Sequence, residues 1–183
     1  WIEMNPIWLD YLRENYDILS AFACWGLAGF LQTRNPNVPA ISTKLVKQEE
    51  RNSLSAQRKF WNIAINHGLE VRCPYTGNLL EERMYDLDHF IPWSFVSHDL
   101  LWNLIPADPS INSSKSNKLP DLHLYLPKLA VAHQAALRIN LERGKQEKLL
   151  EDYLSLGYTP QEIIAMDREH LLDCFSQTFT PMH

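Results

Sequence analysis

The sequence predicts an α+β, mostly α fold, in which a small ββα centre sits between N-terminal and C-terminal helices. Three observations predict it. Both ends of the chain carry apolar residues at helical spacing. The centre, from Leu69 to Asp121, is instead rich in Pro, Gly, Asn and Ser with short apolar runs, and the alternating stretch "MYDLDHF", Met84 to Phe90, lies within it. The expected division is residues 1–69, a helical segment, residues 70–122, the core, and residues 123–183, a second helical segment.

Each element has a local reason. Pro6 suits a first-turn position, and Trp8, Leu9, Leu12, Tyr16 and Leu19 recur at roughly helical spacing, so residues 6–33 read as helix. The apolar run from Ile18 to Leu31 is shorter than the roughly 20 residues that cross a bilayer, and reads as a buried helix. "TRNPNVP", residues 33–39, ends it with two prolines and two asparagines. Leu54 to Asn66 forms a further helix, with Phe60, Ile63 and Ala64 on one face and Gly68 just past its end. In the centre, "CPYTGN" is a turn, "LLEER" and "MYDLDHF" pair as a hairpin, and "SINSSKSNKLP" is a short polar helix stopped at Pro120. Helical signals then return. Pro127 and Gly144 bracket one helix, Lys145 to Leu156 follows, Thr159 with Pro160 and Glu162 makes a capping box, and Asp167 caps a last helix through Phe175.

Bulk properties narrow the function classes. The formal net charge is -5, which gives little long-range attraction to nucleic-acid phosphates, so a chain of this kind that acts on DNA needs another module to deliver it. One local exception is Lys44 to Lys59, where Lys44, Lys47, Arg51, Arg58 and Lys59 outnumber Glu49 and Glu50; it reads as a solvated face. The three cysteines, Cys24, Cys73 and Cys174, are scattered and form no C-x-x-C, against both a disulfide framework and a sulfur-rich zinc site. A reducing, cytoplasmic setting without membrane insertion is expected. The chain opens on Trp1 with no signal-type sequence after it, and reads as a piece of a longer polypeptide.

The central string "DHFIPWSFVSHDLLWNLIPADPSINSSKSNKLP" holds, in order, Asp88-His89, Pro92, Asn103, Asn112, Lys115 and Pro120. This pattern resembles the HNH, or ββα-metal, endonucleases, in which D-H closes a strand, a central Asn follows, and an Asn or His with x-x-K lies on a short helix. It is most similar to the HNH nuclease domain of RNA-guided CRISPR effectors, in the gaps from His89 to Asn103 and from Asn103 to Asn112. The resemblance covers about residues 73–120. It implies a metal-dependent endonuclease that nicks one DNA strand per active site, within a bacterial or phage protein of defence, restriction or CRISPR interference.

The chemistry of these residue types agrees. A neutral imidazole titrates near pH 7 and can take a proton from an attacking water, which makes His89 the expected general base. Asp88 and the Asn112 amide oxygen suit Mg²⁺ or Mn²⁺, which prefer oxygen donors. Asn103 is expected to tie its loop to backbone near His89 and so hold the ring. Lys115, three residues after Asn112, and Lys118 suit contacts to phosphate. Asp86 shares the alternation of Asp88 and reads either as a supporting acid or as a solvent-facing residue. Adjacent strand residues point to opposite faces, so the chain is expected to leave regular β geometry at Asp88 and His89. Two departures from the family stand out. Cys73 is followed by Thr76 rather than a second cysteine, so no structural zinc is expected, and Ser110 stands where some relatives have an acid. His98, His123, His133 and His170 match no motif position and read as structural or exposed. A noncatalytic module that binds nucleic acid or docks on a larger nucleoprotein complex is the competing reading, supported by the acidic balance and the sparse metal shell.

Overall fold

Asn15 divides the first helical stretch in two. In the computed structural model, which describes residues 4–36, 38, 41–45, 53–82, 84–144 and 147–182, with the side chains of Thr43, Asn112 and Glu147 outside the description, helix α1 spans Ile7–Glu14 and α2 spans Tyr16–Arg34. Asn15 leaves helical geometry with φ -108° and ψ 17°, and its amide donates to the Tyr11 carbonyl at 2.9 Å. A side chain that bonds local backbone competes with the helical ladder. Helix α3 spans Ile41–Leu45. Lys47 and Arg51 of the basic stretch lie outside the described residues.

The chain forms two compact units, residues 1–49 and residues 50–183. In the first, the expectation of a buried helix over Ile18 to Leu31 is corrected. The segment is helical, but no residue of α2 is buried, and Ile18, Phe22 and Trp25 form an exposed stripe, Trp25 at 73%. The short helices α1 and α3 pack on α2 and cover only part of its circumference. Among the described residues no helix is long and apolar enough to cross a membrane.

The second unit begins with α4, Ser55–Asn66, and ends its chain reversal on Gly68 at φ +90°. The Cys73 to Asn78 turn follows, closed by Gly77 N–H donating to the Cys73 carbonyl at 2.9 Å. Strand β1, Asp86–His89, leads through α5, Trp93–Val96, and a 3-10 turn, Leu101–Asn103, to strand β2, Leu104–Ala107. Helix α6, Pro109–Lys115, then α7, Leu122–Glu142, α8, Glu147–Leu150, a 3-10 segment, Glu151–Leu156, α9, Pro160–Ala165, and α10, Arg168–Phe179, complete the unit. The expected capping box at Thr159 and Glu162 is present, and Asp167 caps α10 through the His170 amide at 2.9 Å. Helix α7 starts earlier than Pro127 suggests, because the Asp121 carboxylate caps it by accepting from the Leu124 amide.

The hairpin expected between "LLEER" and "MYDLDHF" is also corrected. Leu79 bridges back to Arg72 and closes the turn, whereas β1 pairs antiparallel with β2 in the register Asp86↔Ala107, Leu87↔Pro106, Asp88↔Ile105 and His89↔Leu104. Strand β2 is buried along its whole length, whereas both ends of β1 are half-buried. Pro106, which has no N–H to give, is tolerated because the sheet formed by the described residues has two strands and both are edges.

The core joins this hairpin-and-helix centre to α4, α7 and α10. Trp61 on α4 is fully buried and donates its indole N–H to the Leu104 carbonyl at 3.1 Å, pairing the outer edge of β2. Asn140 on α7 donates to the Phe60 carbonyl at 3.1 Å. Phe179 at the end of α10 lies 5.4 Å from Phe90 and 5.3 Å from Trp102, both edge to face, and so packs against the residue after His89 and the residue before Asn103. Truncating this buried ring removes the wall behind both. Phe179→Ala should cost about 3–5 kcal/mol, read from the urea midpoint; a loss under about 1 kcal/mol would show that the ring does not support the core.

His133 on α7 is fully buried, with Nδ1 2.7 Å from the Tyr153 hydroxyl, and burial drives its pKa down from 6.5 to about 3. The folded ring therefore stays neutral where the unfolded one binds a proton. Below pH 6.5 the unfolded chain takes up that proton and the folded chain does not until about pH 3. Stability should thus be complete above this window and fall as pH drops through it, by about 1.4 kcal/mol per pH unit from this group. Urea unfolding across the window should show a shallower acid slope in His133→Gln, and equal slopes would assign the acid sensitivity elsewhere.

Candidate active site

Asp88 and His89 occupy adjacent rungs of the β1–β2 ladder, opposite Ile105 and Leu104. The expected departure from β geometry is therefore corrected: both residues stay in register, and the strand ends directly after them. Their side chains reach different partners, as alternation requires. Beyond the strand, the Phe90 amide still donates to the Asn103 carbonyl at 2.8 Å, which starts the chain's turn away from the sheet.

Asp88 is 4% exposed and both of its oxygens are held. Oδ2 accepts from the Tyr75 hydroxyl at 2.6 Å, and Oδ1 accepts from Lys115 Nζ at 3.1 Å. Lys115 also donates to the His89 backbone carbonyl at 2.7 Å, so its ammonium lies between two oxygens of consecutive residues. Burial pushes the Asp88 carboxyl above its usual range, against the opposing pull of Lys115 and the Tyr75 hydrogen bond. Burial, and then the Asp88 charge, push the Tyr75 phenol far up, so it stays a hydrogen-bond donor. The turn that presents Tyr75 is fastened twice: Lys128 on α7 donates to the Pro74 carbonyl at 2.7 Å, and the Tyr75 ring lies 5.1 Å from Tyr125.

His89 Nε2 lies 2.8 Å from Asp99 Oδ1, with both side chains mostly covered. Asp99 comes from the loop after α5, which Ser97 turns with a left-handed φ of 56°. The loop is secured on its far side, where the Asp99 carbonyl accepts from Gln57 Nε2 at 3.1 Å, the Leu101 amide donates to Asp152 at 2.8 Å, and the Trp102 indole donates to Ser155 at 2.7 Å. His98, next in line, has its pKa lowered by burial and then by the neighbouring His89.

Asn103 is fully buried. Its amide nitrogen donates to the Ile91 carbonyl and its oxygen accepts from the Ile91 amide, each at 2.9 Å. The fold thus brings together Asp88, His89 and Lys115, and sets Asn103 behind them as a clasp on the backbone two residues past His89. Asn112 lies on α6, with its side chain outside the description. Lys118 is exposed beyond the end of α6, and Asp86 is half-buried at the start of the ladder. Ser110 bonds the Asp108 carboxylate at 2.7 Å. Among the described residues no three His, Cys, Asp or Glu side chains cluster as a metal site.

Sequence reasoning passed over Tyr75 and Asp99. Neither contact is local: Tyr75 meets Asp88 across the turn and β1, and Asp99 meets His89 across a loop whose path no spacing rule describes. The polar run Ser97-His98-Asp99 between apolar Val96 and Leu100 is the signal that was there to find.

The Asn103 clasp makes its own prediction. Asn103→Ala leaves the Ile91 amide and carbonyl unpaired in the core, at about 1–3 kcal/mol for each group. Urea unfolding should show that loss and hydrogen exchange at the Ile91 amide should accelerate; unchanged exchange would show that the loop closes without the clasp.

No curated protein and no solved structure matches the chain. The model of the HNH endonuclease family matches residues 73–121, the stretch that runs from the Cys73 turn through both strands to the cap of α7 and holds Asp88, His89, Asn103 and Lys115, and it is to this family that the chain is similar.

Proposed function

We propose that the second unit is a metal-dependent DNA endonuclease centre that nicks a strand by a water activated at His89. One observation carries this reading: the stretch similar to the HNH endonucleases is the same stretch in which Asp88, a partnered His89 and Lys115 converge on one end of a strand. His89 takes the proton of the attacking water, and Asn103 holds the strand exit on which that ring is mounted. Lys115 and Lys118 supply contacts to phosphate.

The donor set suits a hard cation. Asp88 Oδ1 and the His89 carbonyl oxygen already hold a positive charge between them, the Lys115 ammonium, and oxygen donors are the class that Mg²⁺ and Mn²⁺ take. Asp88, joined by Asn112, would hold the ion. When bound it supplies Lewis-acid stabilisation of the charge that gathers on the reacting phosphate. In this reading the net charge of -5 means that double-stranded DNA is delivered by another module or subunit, in a cytoplasmic defence, restriction or CRISPR interference protein.

The Lys115–Asp88 pair also favours a second reading, a module that binds nucleic acid or docks on a complex without cutting, because it leaves neither carboxylate oxygen without a protein partner. A plasmid-nicking assay separates the two. At low salt and at a chain concentration high enough to offset its weak attraction to DNA, the chain with Mg²⁺ or Mn²⁺ should convert supercoiled plasmid to open circles, chelation should stop it, and His89→Ala should lower the rate by about 10²–10⁴-fold, as expected for loss of a general base. Nicking that persists unchanged in His89→Ala would remove the general-base assignment, and a wild-type chain inert with both cations would favour the docking module.

A further inference from the structure

We infer that Asp99 is a positioning residue for His89: it fixes the imidazole as the Nε2–H tautomer and thereby makes Nδ1 the nitrogen that accepts the proton. The inference rests on the nuclease reading above and adds to it a residue and an atom. A carboxylate has only lone pairs to offer, so at 2.8 Å from Asp99 Oδ1 the ring nitrogen Nε2 must carry the hydrogen and donate it. The proton on one ring nitrogen decides which face of the ring can act as a base.

The geometry of the loop supports a prearranged contact. Asp99 is held from behind at its own carbonyl by Gln57, its neighbours His98 and Leu100 are half-buried, and the chain beyond is fastened to Asp152 and Ser155. His89 is fixed from the other direction by its rung opposite Leu104 and by Lys115 on its carbonyl. Neither side chain is a mobile surface residue, with 14% and 19% of their areas exposed. An exposed ion pair of two free side chains would bring no such order.

The step then balances as follows. An O–H bond of the attacking water breaks and its proton passes to Nδ1, while the water oxygen forms a bond to phosphorus. The bond from phosphorus to the leaving ester oxygen breaks, and that oxygen departs with the electron pair and takes a proton from solvent. The imidazolium made at His89 faces the Asp99 carboxylate through Nε2–H, which stabilises the charge without moving a second proton. Its Nδ1 proton returns to solvent before the next turnover.

The test uses the whole 183-residue chain, labelled with ¹⁵N, and its Asp99→Ala and His89→Ala variants. Long-range ¹H–¹⁵N spectra at mildly alkaline pH, with the His89 signals assigned against His89→Ala, should show Nε2 protonated, Nδ1 unprotonated, and a downfield Nε2–H proton protected from exchange. In Asp99→Ala that protected proton should vanish, and nicking should lose kcat by roughly 10- to 100-fold, as when the partner that orients a working histidine is removed, with KM changed less than about twofold because Asp99 does not touch substrate. A wild-type ring protonated at Nδ1, or an Asp99→Ala variant with full kcat, would overturn the inference, and the wild-type spectrum decides even if Asp99→Ala does not fold. The two readings fail separately: a wild-type chain inert with Mg²⁺ and Mn²⁺ removes the nuclease assignment and undiminished nicking by His89→Ala removes the general base, whereas an inactive His89→Ala beside a fully active Asp99→Ala removes only the role of Asp99.

Discussion

The amide of Asn103, buried and bonded at both ends to the backbone of Ile91, is the constraint on which the candidate site depends. A net hydrogen bond contributes only about 1 kcal/mol, but a buried backbone group left without one costs about 1–3 kcal/mol, so the clasp is enforced more by what its loss would leave unpaired than by what it adds. It brings the two ends of the segment from Ile91 to Asn103 together. That closure ends β1 at His89 and starts β2 at Leu104, and it obliges the intervening chain to return to the sheet. Asp99 reaches His89 on that returning segment, which Gln57, Asp152 and Ser155 hold from its far side.

The second governing term is a buried charge. Asp88 is nearly inaccessible, and desolvation disfavours its ionised form, yet the Lys115 ammonium and the Tyr75 hydroxyl both favour the carboxylate. Removing one partner of such a pair is far more damaging, at about 3–5 kcal/mol, than the pair's net contribution to stability would suggest. The arrangement is better understood as a way of keeping an acid charged inside the protein than as a source of stability. It also ties α6 to β1, since Lys115 is the last residue of the helix and grips two consecutive residues of the strand.

Much of this was legible in the chain itself. Helix ends with a chemical marker were placed well: Gly68 after α4, Thr159 with Glu162 before α9, and Asp167 before α10 all do in the structure what their types suggest. The motif residues were readable because they sit at fixed intervals in a short segment. What failed were pairings that depend on distant partners. Leu79 turned back on Arg72 while Leu104 to Ala107 took the place beside β1, a choice settled by burial under Trp61 and not by any local pattern. The apolar run on α2 suggested burial because composition reports what a helix needs, and the helices packed on it do not cover it. Tyr75 and Asp99 escaped notice for a related reason: a hydrogen bond across a loop leaves no periodic trace.

The position of Phe179 bears on how such a centre can be moved between proteins. The family-like stretch ends at Asp121, yet its two flanking aromatic residues, Phe90 and Trp102, rest on a ring contributed from the far end of the chain, and its inner strand is edged by Trp61 from before it begins. A segment cut at the limits of sequence likeness would carry the chemical groups and leave behind the surfaces that give them shape. Grafting the centre into another scaffold therefore requires a host that offers an aromatic wedge and an indole donor at matching places. A change around the centre that empties either position takes away a support that the motif itself does not supply.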